Sequence, residues 1–497
     1  MYWANFLHIY QPAKQQPDIL AAVVSQSYRP ILENLAKHSR VRLTLNINGA
    51  LLELFDRDRY HDLIDILRNL GQEGRIEFTS SAKYHAFLPL VEEKEIIRQI
   101  KANDETNKFY LGDTYQPKGF FPPEMGWDNK LIPIIENLGF EWLILDEIAC
   151  GGKVGQVNYN KIYKIKNSKL SVFFRERRLS NLIMSAVVRS RETLLEAMKK
   201  DLKSGRYLVT AMDGETFGHH RPGLENLLFE VFETPEFELV QISDLYKYYK
   251  ETLEVKPIKS TWASSPQDIE RGVQFLSWLD PENIIHSLQW KFLHLVMEEF
   301  YRMKETDAAW KIVREKMDIA LSSDVFWWAS AKPWWSLEMI EEGAYSLLDA
   351  IRSMPNIPKE KLDRAAKYYE EIVSIAFNWQ RSGKIRQMAA ENNKILRIPF
   401  KDRTLGVGGE MRGDYYAFVK MMRELEKKAA IAGEYEKAIL WRNALYSLER
   451  KLDIYDAINA VDLVRVEIPN EKVEKTIAKY RDQYREIRGG QPEQRGA

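Results

Sequence analysis

Two acidic residues stand where a strand gives way to a loop: Glu124, in GFFPPEMGWDNK (119–130), and Asp213, in TAMDGETFGHHRPG (210–223). Two prolines precede Glu124 and would aim its carboxylate rigidly, as a nucleophile requires, because small misplacements are costly. Asp213 is followed closely by Glu215, Phe217, His219, His220 and Arg221, a polar density that folding alone does not explain. Beyond Glu124 lie Trp127 and Asp128; Asp128 reads equally as the N-cap of the next helix. His8 sits inside an apolar strand that ends in Gln11-Pro12, either as a functional group or as a hydrogen-bonded core histidine. RIEFTSSAKYHAFLPL (75–90) brings Tyr84 and His85 onto a loop behind another strand. Eight of the thirteen tryptophans fall between 262 and 335, among them Trp262 and Trp328. Four of them lie in SDVFWWASAKPWWS (323–336), whose spacing is not helical; they suit a wall for a flat apolar ligand face, or packing between domains. Two carboxylates on separate strand ends, ringed by aromatics and histidines, suit glycoside chemistry. One attacks the anomeric carbon and the other protonates the leaving oxygen; in a retaining enzyme they stand about 5–5.5 Å apart.

Strands must carry these groups to a common rim. Up to about residue 255 the chain alternates short apolar runs with amphipathic helices. NFLHIY (5–10), RLTLNI (42–47), RIEFTS (75–80), KGFFPP (118–123), EWLILDE (141–147), RYLVTAMD (206–213) and the start of FELVQISDLYKYYK (237–250) read as strands. Alternation of this kind gives a parallel sheet, and about seven strands over this length suggest a barrel, with an open doubly wound sheet as the alternative. In a barrel the chemistry sits on the loops after the strands. From about 256 helical periodicity takes over, for example in WKFLHLVMEEFYRMKE (290–305) and LDRAAKYYEEIVSIAFNWQ (362–380). The expected layout is a catalytic barrel over 1–255, a helical region closing the site over 256–345, a helical bundle over 346–487 and a disordered tail over 488–497. RTLGVGGEMRG (403–413) lacks the Gly-Lys-Ser/Thr end of a phosphate loop and reads as a flexible turn.

Composition narrows the partners. The 72 Lys+Arg cancel the 72 Asp+Glu, so the chain lacks the positive field that nucleic acid or an anionic membrane surface would attract. The single cysteine, Cys150, leaves no intrachain disulfide and no cysteine-based zinc site. MYWANFLHIYQP does not read as a signal peptide, and no apolar run of about 18 residues suggests a membrane span. The expectation is a cytoplasmic protein.

The same motifs resemble those of glycoside hydrolase family 57. HIYQP (8–12) is similar to the family's first motif, with Tyr10 where a second histidine is common. GRIEFTSSAKYHAFLPL (74–90) is similar to the second, FFPPEMGWDNK (120–130) to the third and MDGETFGHHRPG (212–223) to the fourth. WLDPENIIHSLQW (278–290) and SDVFWWASAKPWW (323–335) resemble helical segments that close the family's active site. The resemblance implies an incomplete (β/α)7 barrel followed by an α-helical domain, with Glu124 as nucleophile and Asp213 as general acid/base. It implies an α-glucan or maltooligosaccharide substrate and no metal or other cofactor. The expected substrate contacts are His8, Gln11, Glu77, Tyr84, His85, Trp127 and Asp128 on the first three motifs. On the later segments they are Glu215, Phe217, His219, His220, Trp262, Asp324 and Trp328. Two rival readings stand beside this one. A metal-dependent hydrolase resembling a polysaccharide deacetylase would need a ligand pair such as His-x-x-x-His, a spacing absent here, although ligands from separate strands could replace it. A non-catalytic glucan-binding protein would keep the pocket without the chemistry.

Overall fold

The computed structural model describes residues 1–332, 334–392, 401, 410–450 and 454–485. Its ten strands are β1 (Tyr2–Ile9), β2 (Leu43–Ile47), β3 (Ile76–Ser80), β4 (Gly119–Phe120), β5 (Trp142–Asp146), β6 (Ile162–Ile165), β7 (Ser171–Arg175), β8 (Leu208–Asp213), β9 (Glu238–Val240) and β10 (Thr252–Val255). They form one sheet, ordered β10-β6-β7-β5-β4-β3-β2-β1-β8, with β9 added beside the start of β1. From β7 through to β8 every pairing is parallel. These strands are almost wholly buried, as parallel strands covered by helices on one side and packed inside on the other must be. The two ends of the run approach each other: Glu176 N–H donates to Val209 O at 2.8 Å, and Arg175 Nε to Ala211 O at 2.7 Å. The architecture is an incomplete (β/α)7 barrel with a helical region behind it.

One strand differs from the sequence expectation. The run at 237–240 does form a strand, β9, but it pairs only with Tyr2–Ala4 of β1. The seventh barrel place belongs to β7, SVFFR, which a turn-rich stretch of Lys, Asn and Ser conceals in the sequence. At β4 a glycine is required. A Cβ on Gly119 would lie 2.2 Å from the Trp142 ring, which crosses that position so that its indole N–H can donate to Ser243 Oγ at 2.9 Å.

The chain divides into two compact units, Met1–Thr216 with Phe229–Met388, and Phe217–Leu228 with Ala389–Ala497. In the first, helices Ile284–Phe300, Trp310–Ala320, Leu337–Arg352 and Lys359–Ser382 follow the barrel. Buried charges tie them to it: Arg314 of the second of these helices donates to Glu95 Oε1 and Oε2 at 3.0 Å each, and both Arg314 and Arg98 donate to Asp318. Arg98 and Glu95 belong to the barrel helix Glu93–Leu111. Helix Ile284–Phe300 and its N-cap Asn283 hold the segment on both sides of Trp328. Asn283 Nδ2 donates to Ala329 O (2.8 Å), His286 Nε2 to Phe326 O (2.9 Å) and Gln289 Nε2 to Val325 O (2.9 Å). The tryptophan-rich segment, expected to be non-helical, opens with one helical turn, Asp324–Trp327.

The second unit packs helices Glu410–Ile431, Tyr435–Arg450, Ile454–Glu467 and Asn470–Arg485 around Phe418, Met422, Trp441, Leu448, Val464 and Val473. Of the glycine-rich stretch, residues 403–409 lie outside the described residues and 410–413 open the first of these helices; the tail 488–497 also lies outside them. Among the described residues, no helix is long and apolar enough to cross a membrane.

Candidate active site

The C-terminal strand ends of the barrel gather an unusual set of buried polar groups. Glu124 follows β4 on the turn Pro122-Pro123-Glu124 and takes a left-handed backbone (φ 61°, ψ 15°), as does Met125 (φ 48°). Such a conformation is costly for a side chain with a Cβ and persists only where neighbours enforce it. Here Met125 N–H donates to Pro122 O (2.8 Å), Trp127 N–H to Ser260 O (2.8 Å) and Trp262 N–H to Glu124 O (3.2 Å). The same Trp262 donates its indole N–H to Glu124 Oε2 at 2.8 Å. Burial pushes the Glu124 carboxyl well up, the charges of Asp213 and Asp324 push it further, and the Trp262 donor opposes them.

Asp213 ends β8, directly opposite His8 of β1 in the register. Burial raises it to about 8, helped by the Glu215 and Asp324 charges and opposed by Arg175. Glu215 is in turn gripped by three donors: Tyr28 O–H, Gln11 Nε2 (3.1 Å) and Tyr10 N–H (3.3 Å). Asp324 accepts from Tyr10 O–H at 2.8 Å and Ser322 Oγ at 2.7 Å. Four carboxyl groups thus share one buried neighbourhood, where like charges drive the pKa values upward and apart.

A chain of neutral hydrogen bonds crosses the rim beside them. Asn46 Nδ2 donates to Thr79 O (3.2 Å), so its Oδ1 is the acceptor for His8 Nδ1 (2.8 Å). His8 Nε2 then accepts from His85 Nε2 (3.1 Å), and His85 Nδ1 accepts from Ser323 Oγ (2.9 Å). The protons are assigned from these partners. Burial holds His8 well below its ordinary value and His85 at about 3, consistent with two neutral rings. His85 Nδ1 lies 3.8 Å from Glu124 Oε1. As an acceptor in this chain it forms no ion pair with the carboxylate. The Tyr10 ring stacks on His85 with centroids 4.3 Å apart.

Several expected contacts sit elsewhere or are otherwise engaged. Glu77 lies near the start of β3, at the opposite end of the barrel, where it accepts from Thr44 Oγ1 and Ser243 N–H (3.2 Å each). Trp127 is fully buried, and its indole donates to Asn129 Oδ1 at 3.2 Å. Asp128 accepts from the Lys130 N–H and pairs with Lys259 at 2.8 Å. Tyr84 is half-buried, its N–H donating to Gln99 Oε1 at 3.2 Å. Trp328 is half-buried in a tryptophan cluster, 4.9 Å from Trp327 and 6.1 Å from Trp334. Phe217, His219 and His220 belong to the second unit; Phe217 is buried and bridged to Arg221, and the two imidazoles are 5.4 Å apart.

The sequence reading missed Asn46, Tyr28, Asp146, Arg175 and Arg177. Asp146 ends β5 and accepts from Arg175 (2.8 Å) and Arg177 (2.8 Å). The signal available was RERR directly after an apolar run, which reads as a solvated charge cluster unless the run is recognised as a barrel strand.

The profile of glycosyl hydrolase family 57 matches residues 3–258, more than half of the chain. The chain belongs to glycosyl hydrolase family 57. Among family 57 relatives and related proteins, an alpha-amylase 1 from Dictyoglomus thermophilum is 26% identical over 271 residues, 52% of this chain and 38% of that protein. A 4-alpha-glucanotransferase from Thermococcus litoralis is 25% identical over 216 residues, 43% of this chain and 32% of that protein. The chain therefore spans less than half the length of these two relatives. Its fold matches the crystal structure of a family 57 branching enzyme from Thermococcus kodakaraensis with a TM-score of 0.57 at 15% identity, over 74% of this chain and 94% of that one.

Proposed function

We infer that this chain is a retaining glycoside hydrolase or transglycosylase acting on α-1,4-glucans by double displacement. The observation that carries the reading is that Glu124 and Asp213, past the C-terminal ends of β4 and β8 on one rim of the barrel, are both buried, with the Asp213 charge raising the Glu124 carboxyl. In such a pair one group must ionise first. Trp262 favours the charged form of Glu124, whereas the Glu215 charge disfavours that of Asp213. The Asp213 charge and Arg175 act in the opposite sense, so the assignment of Glu124 as nucleophile and Asp213 as acid follows the likeness of their motifs to the third and fourth motifs of family 57.

With Glu124 Oε2 held by the indole, Oε1 attacks the anomeric carbon. The C–O bond to the departing sugar breaks, and Asp213 gives its proton to that oxygen. In the second half, Asp213 takes a proton from the acceptor hydroxyl while its oxygen displaces Glu124. Water as acceptor gives hydrolysis; a sugar hydroxyl gives transfer or, from a 6-hydroxyl, a branch. Trp262 and the Trp327–Trp328–Trp334 cluster supply aromatic faces for sugar C–H surfaces and for excluding water. The relatives named as an alpha-amylase and a 4-alpha-glucanotransferase support this substrate class. A cytoplasmic location, consistent with the single cysteine, belongs to the same reading.

Incubation with maltoheptaose and with amylose tests it. Reducing-end gain, chain-length redistribution or new branch points each support α-glucan chemistry and separate hydrolysis, transfer and branching. Both substrates recovered unchanged, over a range of pH and temperature, would refute it.

A further inference from the structure

The indole that donates to the nucleophile, Trp262, is itself held from behind. Arg177, just past β7, reaches three groups at once: Nε donates to Asp146 Oδ1 (2.8 Å), Nη1 to Ser264 O (2.7 Å) and Nη2 to Trp262 O (3.0 Å). Its own N–H donates to Glu147 Oε1 at 2.9 Å. Asp146 is fixed in turn by Arg175 at 2.8 Å and by the Ile148 N–H at 3.0 Å. The guanidinium is therefore planted on a barrel strand end and spends its fork on two backbone carbonyls of the loop that carries Trp262. Arginine suits this task because its donors are rigid and coplanar, so one side chain fixes an angle as well as a distance.

The loop is not a strand of the barrel sheet; at its start Ile258 N–H donates to Ala149 O, in the turn after β5, at 3.0 Å. The loop lies after β10, and it meets the nucleophile turn through the Trp127–Ser260 bridge, the Lys259–Asp128 ion pair (2.8 Å), the Phe121–Trp262 ring contact and the Trp262–Glu124 contacts. We propose that Arg177 is a positioning residue for catalysis, acting through Trp262 to set the orientation of the Glu124 carboxylate. The proposal rests on the reading of Glu124 as nucleophile.

The consequence is visible in the ionisation of Glu124. The groups facing that carboxyl are His85, Tyr10, Asp213, Asp324 and the Trp262 indole. Of these the indole supplies the hydrogen bond that favours the charged form. Losing the donor raises the Glu124 pKa, so the acidic limb of kcat/KM moves to higher pH. Loosening the loop by removing Arg177 does the same at one remove.

The test compares Trp262→Phe, Arg177→Gln and the double variant on maltoheptaose across pH, with Tm measured in parallel. Trp262→Phe is expected to lower kcat/KM on the order of ten- to a hundredfold and to move the acidic limb upward. Arg177→Gln should move that limb in the same direction, and the double variant should be no worse than Trp262→Phe within about twofold, because the two act through one contact. If Arg177→Gln does not fold, Arg177→Lys keeps a charge beside Asp146 without the planar fork and is read in the same way. A lowered Tm with an unmoved limb, or losses that multiply in the double variant, would overturn the proposal. Glu124→Gln separates two failures. If it retains turnover, both the nucleophile reading and the positioning role fall. If it is inactive while the Arg177 variants leave the limb in place, only the positioning role falls.

Discussion

The phenol of Tyr10, on the loop after β1, donates to Asp324 Oδ2 at 2.8 Å, joining the first barrel strand to the first helical turn of the tryptophan segment. The same tyrosine stacks on His85, so its ring is fixed on one side by an imidazole and at its tip by a carboxyl group. Burial pushes Asp324 up and the Tyr10 and Ser322 hydroxyls pull it back, so the tyrosine helps keep a charge beside Glu124 and Asp213. Tyr10→Phe should lower kcat/KM about 10- to 100-fold, from roughly 1.5–3 kcal/mol for a hydrogen bond to a charged group. Steady-state kinetics on maltoheptaose checks this; an unchanged kcat/KM would show that Asp324 needs no help from Tyr10.

Asp213 supplies a pH prediction whose sign is fixed by its role. An acid must hold its proton, and Asp213 holds its proton up to about pH 8. The alkaline limb of kcat/KM should therefore lie far above the ordinary carboxyl range. The limb reports a coupled system rather than one residue, but its response to Glu215 is directional. The Glu215 charge raises Asp213, so Glu215→Gln lets the proton leave at lower pH and moves the alkaline limb downward. A pH profile of the variant checks the direction; movement upward would reverse the electrostatic account.

The same shift has a cost in stability. Asp213 is raised in the folded chain from 3.8 to about 8, so folding is favoured below the lower value and loses stability as pH rises through the upper one. Asp213→Asn removes the ionisation. Its Tm should match that of the parent below pH 4 and exceed it by about 2 °C or more at pH 9, while turnover falls by about 10²–10⁴. Thermal melts at the two pH values read this; a gain that shrinks with rising pH would contradict it.

The neutral chain Thr79–Asn46–His8–His85–Ser323 gives a prediction that separates orientation from charge. Asn46 lies at the end of β2 and sets which nitrogen of His8 bears the proton. Asn46→Leu leaves the buried Nδ1–H of His8 unpaired, at a cost of about 1–3 kcal/mol. It should lower Tm and also raise KM, as the two imidazoles lose their fixed orientation. Calorimetry with kinetics on maltooligosaccharides checks both effects; loss of stability with an unchanged KM would confine the chain to a structural role.

Much of this was legible in the sequence because strand ends advertise themselves. Glu124 after two prolines and Asp213 before Gly-Glu sit at the ends of apolar runs, and parallel topology sends such ends to one rim. His8, His85, Glu215 and Trp262 lie on loops or strand ends around these two, Gln11 bonds Glu215, and Asp324, whose charge reaches both, opens a helical turn. Glu77 illustrates the limit: it stands early in β3, and a period-two pattern does not say which end of a barrel a carboxylate serves. Asn46 looked like a polar interruption of an apolar strand. Arg175 and Arg177 were hidden because β7 went unrecognised, and without that strand RERR has no end to occupy. Tyr28 bonds Glu215 from a helical segment far away in sequence, a pairing set by how that segment packs against the turn Gly214–Thr216 after β8.

The account turns on which carboxylate becomes covalently bound to sugar. An activated fluoro-sugar of the α-glucosyl series, whose glycosyl-enzyme forms faster than it is hydrolysed, should inactivate the chain, and peptide mapping should place one adduct on Glu124. An adduct on Asp213, Glu215 or Asp324, or turnover that inverts the anomeric centre without any adduct, would contradict it.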